Sequence, residues 1–262
     1  MQAFTLAEGA THVAQSAKTS RAAFTLAEVL ITLGIIGVVA ALTLPTLIAN
    51  YQKRVYVNQL KKTYSILNQG FLKMRADDGV DLLSETSAYS KLAVFNGYMM
   101  SDAPIDTPFY DELKKYFNIV SIETFKQSNN YFYYDLNGYK YPPYVGNVIF
   151  LNDGTLIQEH GFFSYDFYHG GITKGIAGYL VVDINGVKNP NTIGRDIFIF
   201  LIGNNGVVYP RGSHGGSEID TMGSSADQYY WRTTTKSDYS CRGNSRGHGC
   251  AARVLEEDAM NY

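Results

Sequence analysis

The sequence predicts an α+β protein: a long N-terminal helix, transmembrane in its first half, whose second half packs on an antiparallel β-sheet head. Three observations point there. Residues 29–49, VLITLGIIGVVAALTLPTLIA, hold no charge. As a helix rising about 1.5 Å per residue, such a run spans roughly 30 Å, enough to cross a bilayer core. Beyond Pro45 apolar residues recur at helical spacing, and from Tyr131 onward strand and turn signals alternate.

Residues 1–23 are polar and rich in small side chains, with Lys18 and Arg21 near the apolar run. The hexapeptide AFTLAE occurs at residues 3–8 and again at 23–28. Only the second copy leads into an apolar run, so only that copy can act as a membrane signal. The run exceeds the roughly 7–15-residue core of a secretory signal peptide, which favours a retained helix over a removed signal. Lys53 and Arg54 lie beyond it and Lys18 and Arg21 before it, so positive charge leaves the orientation near a tie.

Tyr56, Leu60, Tyr64, Leu67, Phe71 and Met74 then fall three and four apart, on one helical face. Asp77-Asp78-Gly79 reads as a stop. One helix is therefore expected over residues 24–76, with 24–49 in lipid and a kink at Pro45, which removes a backbone hydrogen bond.

The head is expected over residues 77–262. Residues 108–117, PFYDELKKYF, suit a short helix opened by proline and early acids. Residues 148–151 and 155–158 flank Asn152-Asp153-Gly154, a hairpin turn sequence. Residues 179–184 and 196–202 read as strands, and Asn204-Asn205-Gly206 turns into 207–209. Residues 211–250 are rich in Gly, Ser, Thr and Asn and read as an irregular surface region. Tyr131, Tyr133, Tyr134, Tyr139, Tyr141 and Tyr144 form either a contact surface or the aromatic side of a strand pair.

A formal net charge of −2 gives no reason to expect nucleic acid. The five histidines are scattered, and no HExxH, P-loop or GxGxxG pattern occurs, so no enzyme is expected.

Residues 23–28 and the run behind them resemble type IV prepilins and the pseudopilins of type II secretion. Those families share a short basic leader, a cut before Phe, a Glu five residues into the mature chain and an unbroken apolar helix. Phe24, Thr25, Leu26, Ala27 and Glu28 match. The resemblance implies a leader over residues 1–23, cleavage by a prepilin peptidase between Ala23 and Phe24, and N-methylation of Phe24. Ala23 stands where the family usually has Gly. Gly37 and Pro45 fall at the spacings of the family's helix-loosening Gly and Pro.

Glu28 has two readings. A carboxylate in an apolar helix costs about 2.5–3.5 kcal/mol on insertion scales, less near the interface, so it can simply sit among headgroups. Alternatively, it pairs with the α-ammonium of Phe24 on a neighbouring subunit and fixes register in a helix-packed filament core. Gly34, Gly37, Ala40 and Ala41 would let such helices approach closely.

Pilin heads commonly carry a C-terminal disulfide loop, which implies a Cys241–Cys250 bridge worth about 2.7 kcal/mol by loop entropy. Metal binding with His248 and two free thiols are the alternatives. Several pseudopilins hold calcium in a late loop; here Asp183, Asn185, Asn189, Asn191 and Asp196 could supply oxygens, or could serve only Asx-turns between two strands. No other cofactor is implied.

The expected function is assembly as a pilin-like filament subunit. The partners are other pilin or pseudopilin subunits, the prepilin peptidase, an inner-membrane assembly platform and membrane lipid. The expected place is the bacterial inner membrane, single-pass, with the head outside the cytoplasm, then a periplasmic or cell-surface filament. The competing functions are a membrane-anchored binding protein or adhesin that never polymerises, and a membrane-anchored extracytoplasmic hydrolase.

Overall fold

The computed structural model describes residues 25–92, 108–142, 144–158, 176–215, 230–232, 234 and 240–262. The leader, Ala23, Phe24 and the first AFTLAE copy lie outside them, as do His12, His160 and His169.

Helix α1 runs from Leu26 to Asp78 and continues through Pro45. Gly79, at φ +67°, takes the left-handed conformation that ends a helix, where the Asp-Asp-Gly stop was expected. The chain divides into two compact units, one ending at Ile48 and one spanning Ala49–Tyr262. In the first unit, the apolar run of α1 is exposed at every residue but the half-exposed Ala40, with Leu30, Ile36 and Leu42 all open. Thr32 and Thr43 turn their hydroxyls back onto the carbonyls of Val29 and Val39. Their polar groups are thereby satisfied within the helix, as a lipid environment requires.

The second unit is the head. Its sheet orders β1 (Ile119–Phe125), β2 (Gly146–Leu151), β3 (Leu156–Gln158), β4 (Ile176–Asp183), β5 (Ile197–Gly203) and β6 (Val208–Pro210) side by side, every neighbour antiparallel. The head's share of α1 lies on one face. Leu60, Leu67, Phe71 and Met74 are buried with Ile149, Ile157, Leu180, Val182, Phe198 and Phe200, while Tyr56 and Tyr64 are partly buried at the edge. Tyr64 stacks on Phe200 at 5.9 Å. Asn68 accepts the Val208 N–H through Oδ1 at 2.9 Å, tying the helix to β6.

The tyrosine-rich segment covers the other face, because strand side chains alternate between faces. Tyr131 and Tyr144 pack with Phe125, Val148 and Leu156; Tyr133 and Tyr141, stacked at 4.6 Å, pack toward Val181, Ile197 and Ile199. An isolated bridge joins Tyr134 to Lys140, but among the described residues the segment forms no strand pair of its own; its rings lie against the sheet instead. Covered on both faces, β5 is buried along its whole length.

Among the described residues three further elements are α-helical: α2 (Ser87–Leu92), α3 (Pro108–Leu113) and α4 (Cys250–Glu257). α3 stops before the expected residue 117, and the chain turns so that Phe117 meets Phe71 edge-on at 5.2 Å. The buried Glu112 carboxylate is held below the usual range by hydrogen bonds from Lys115 and Lys91. Residues 211–250 are not simply surface. In their described part Ser240, Cys241, Ser245 and Cys250 are buried, and α4 starts at Cys250 because the bridge there anchors it against the core.

Candidate functional site

The start of α1 is built by two side chains. Thr25 Oγ1 accepts the Glu28 N–H at 3.2 Å, and Glu28 Oε2 accepts both the Thr25 N–H and the Thr25 hydroxyl at 2.8 Å. This is a reciprocal capping box of the T-x-x-E kind, satisfying donors that a helix start otherwise leaves open. Glu28 thus caps its own helix through Oε2, while its exposed position leaves the carboxylate accessible to a second group.

The run behind it is long and apolar enough to cross a membrane and is not buried by any of the described residues. A Cβ added at Gly34 or Gly37 would meet nothing within 4 Å. Packing among the described residues therefore gives no reason for glycine at either position. Gly70 differs: a Cβ there would lie 2.2 Å from the Phe117 ring, so glycine is required by the fold of the head.

In the head, Cys241 and Cys250 form a disulfide with Cα atoms 4.7 Å apart. Arg253 donates to the Cys241 carbonyl at 2.6 Å and lies over the rings of Trp231 and Tyr262, locking α4 to the bridge. His248 lies beside Arg211.

The loop between β4 and β5 does gather the five expected residues. Asp196 accepts the N–H groups of Asn191 and Thr192, and Asp183 accepts the Asn185 N–H and the Tyr131 hydroxyl, the last at 2.6 Å. Asn189 contributes its backbone carbonyl, which lies 3.4 Å from Asn185 Nδ2. Burial pushes Asp183 well above the usual carboxylate range and the Asp196 charge adds to this; burial also raises Asp196. Burial, then the Asp183 charge, drives the Tyr131 phenol upward as well. The carboxylates thus close Asx-type turns. For a cation the fit is partial: the buried Oδ1 atoms of Asn185 and Asn191 lack partners, but all four carboxylate oxygens of Asp183 and Asp196 already accept protein N–H or O–H groups. Among the described residues, no three His, Cys, Asp or Glu side chains form a metal-binding group.

Residues 18–44 match the sequence model of the prokaryotic N-terminal methylation motif, the prepilin-type signal of type IV pilins and pseudopilins. No curated protein and no solved structure matches the chain. The signal stands at the start of α1, and the long helix with its antiparallel sheet is consistent with a pilin-like fold. The matched residues take in Glu28 and Gly37 and stop just short of Pro45. Thr25 is the residue whose role the sequence reading missed, although the T-L-A-E pattern carried the signal.

Proposed function

We propose that the chain is a subunit of a type IV pilus-like or type II secretion pseudopilus filament. A prepilin peptidase cuts between Ala23 and Phe24 and methylates the new Phe24 amine. The apolar half of α1 holds the subunit in the bacterial inner membrane with the head outside the cytoplasm. An inner-membrane platform then passes it into a filament whose core is made of such helices from neighbouring subunits.

One observation carries this reading. The methylation signal sits at the lip of a helix whose apolar run is exposed among the described residues. Lipid can cover that surface before assembly and equivalent helices after it. Gly34 and Gly37, open on every side, suit close helix approach. The Cys241–Cys250 bridge supports an oxidising compartment for the head, where charge alone left orientation undecided. Glu28 pairing with a neighbour's Phe24 amine fits its accessible carboxylate.

Single cysteines placed on exposed α1 positions Ile36 and Val39 test assembly. Oxidation in cells should give ladders of cross-linked multimers well beyond dimer. Monomer alone, in a chain that is processed and inserted, would favour the anchored binding protein that never polymerises.

A further inference from the structure

The head contains a cavity of about 150 Å³ beside the first turns of its share of α1. Holding one water takes roughly 10–15 Å³, so this space admits a group of several heavy atoms. Its α1 wall begins at Ala49 and continues through Lys53 and Tyr56; Pro190 and Arg195 of the β4–β5 loop and Tyr262 complete it.

Two cations, and no Asp or Glu, are among the residues that line this space. Among the described residues neither Lys53 nor Arg195 pairs with an acid, although Lys53 is half-buried. Tyr56 Oη receives hydrogen bonds from Gln52 Nε2 and Asn185 Nδ2, each at 3.1 Å, so its own hydrogen remains to be given to an acceptor. Pro190 and the Tyr262 ring supply apolar walls, and the Tyr262 hydroxyl donates to the Gly194 carbonyl, which fixes that ring. The pocket therefore offers two positive charges and a hydroxyl donor against an apolar surround.

Its position along α1 indicates the occupant. Ala49 is the last residue of the apolar run, and Lys53 follows by about 6 Å of helical rise. A bilayer adds about 5–7 Å of headgroup layer on each side of its hydrocarbon core, so the Lys53 ammonium falls at headgroup depth. We propose that this pocket binds the phosphate of an anionic membrane phospholipid. Lys53 and Arg195 meet the phosphate, Tyr56 donates to one of its oxygens, and Pro190 and Tyr262 face the glycerol end. The proposal rests on α1 as a membrane anchor and is independent of filament assembly.

The test uses the full chain in nanodiscs of phosphatidylcholine containing phosphatidylglycerol, with native mass spectrometry of the lipid retained on release. The wild type should retain phosphatidylglycerol over phosphatidylcholine by about tenfold or more. Lys53→Gln/Arg195→Gln should abolish that preference, and Arg195→Gln alone, at an exposed position, should lower it. Lys114→Gln/Lys126→Gln, which removes the same charge elsewhere, should leave it intact. Intact Cys241–Cys250 mass and an unchanged circular dichroism spectrum report folding of each variant. An undiminished preference in the pocket variants overturns the proposal. So does inorganic phosphate binding to the pocket without any lipid preference, which would make it a soluble-anion site. A chain that fails to enter nanodiscs overturns the anchor itself, whereas an inserted chain without preference overturns only the pocket.

Discussion

Glu28 Oε2 accepts both the backbone N–H and the hydroxyl of Thr25, so the residue assigned to inter-subunit pairing also caps its own helix. The two roles separate by substitution. Glu28→Gln can still close a capping box but carries no charge. Thr25→Ala keeps the charge and loses the cap, at about 1 kcal/mol of helix stability. Glu28→Gln should insert in the membrane and fail to enter the sheared filament fraction, while Thr25→Ala should assemble at a reduced level. Normal assembly of Glu28→Gln would leave Glu28 only its capping role.

The glycines of α1 divide into two kinds. Gly70→Ala drives a methyl group into the Phe117 ring and should destabilise the head by about 1–3 kcal/mol. Gly37→Ala meets open space, so thermal melting of the head should be unchanged while filament yield falls. Equal melting temperatures for the two variants would contradict this division.

Reducing the Cys241–Cys250 bridge frees the short loop that anchors α4. The head should lose about 2–5 kcal/mol, with proteolysis starting near residues 241–250 in the presence of reductant. Unchanged protease resistance would mean that Arg253 and the surrounding packing hold α4 without it.

Asp183 and Asp196 both have folded pKa values raised above the ordinary aspartate value of about 3.9. Between that value and the raised ones the folded state binds more protons than the unfolded state, so this pair's contribution to stability falls as pH rises. Asp153, whose desolvation is outweighed by hydrogen bonds from Lys62 and Thr155 that hold it low, works in the opposite direction. The clean comparison is therefore Asp183→Asn against wild type: the variant's melting temperature should gain on wild type as pH rises from about 4 to 7. A constant difference across that range would contradict it. In the same assay, a calcium-induced rise seen in wild type but absent in Asp183→Asn would assign an ion to the loop.

What the sequence could disclose depended on how local each signal was. The stripe from Leu60 to Met74 was legible because helical spacing alone places it on one face. Thr63 and Gly70 were not, since their burial depends on Thr155 and Phe117 far along the chain. Strand β1 escaped because IVSIETF lies at the edge of the sheet and is half-exposed, so its apolar residues do not alternate cleanly. α4 was hidden behind the glycine-rich stretch before Cys250, where an irregular surface was expected and a buried, bridged anchor occurs. Both aspartates of the β4–β5 loop were visible as oxygen donors. Their burial beneath Tyr131 required the tyrosine segment to fold across the sheet. The pocket beside Lys53 joins three distant stretches of chain, which no spacing pattern connects.

Intact mass and N-terminal sequencing of the chain purified from membranes, with the prepilin peptidase active and inactive, tests the central claim most directly. The account predicts a chain beginning at N-methylated Phe24 when the peptidase is active, and an uncut, unmethylated chain when it is not. A chain still beginning near Met1 with the peptidase active, or one cut beyond Ala49, would contradict it.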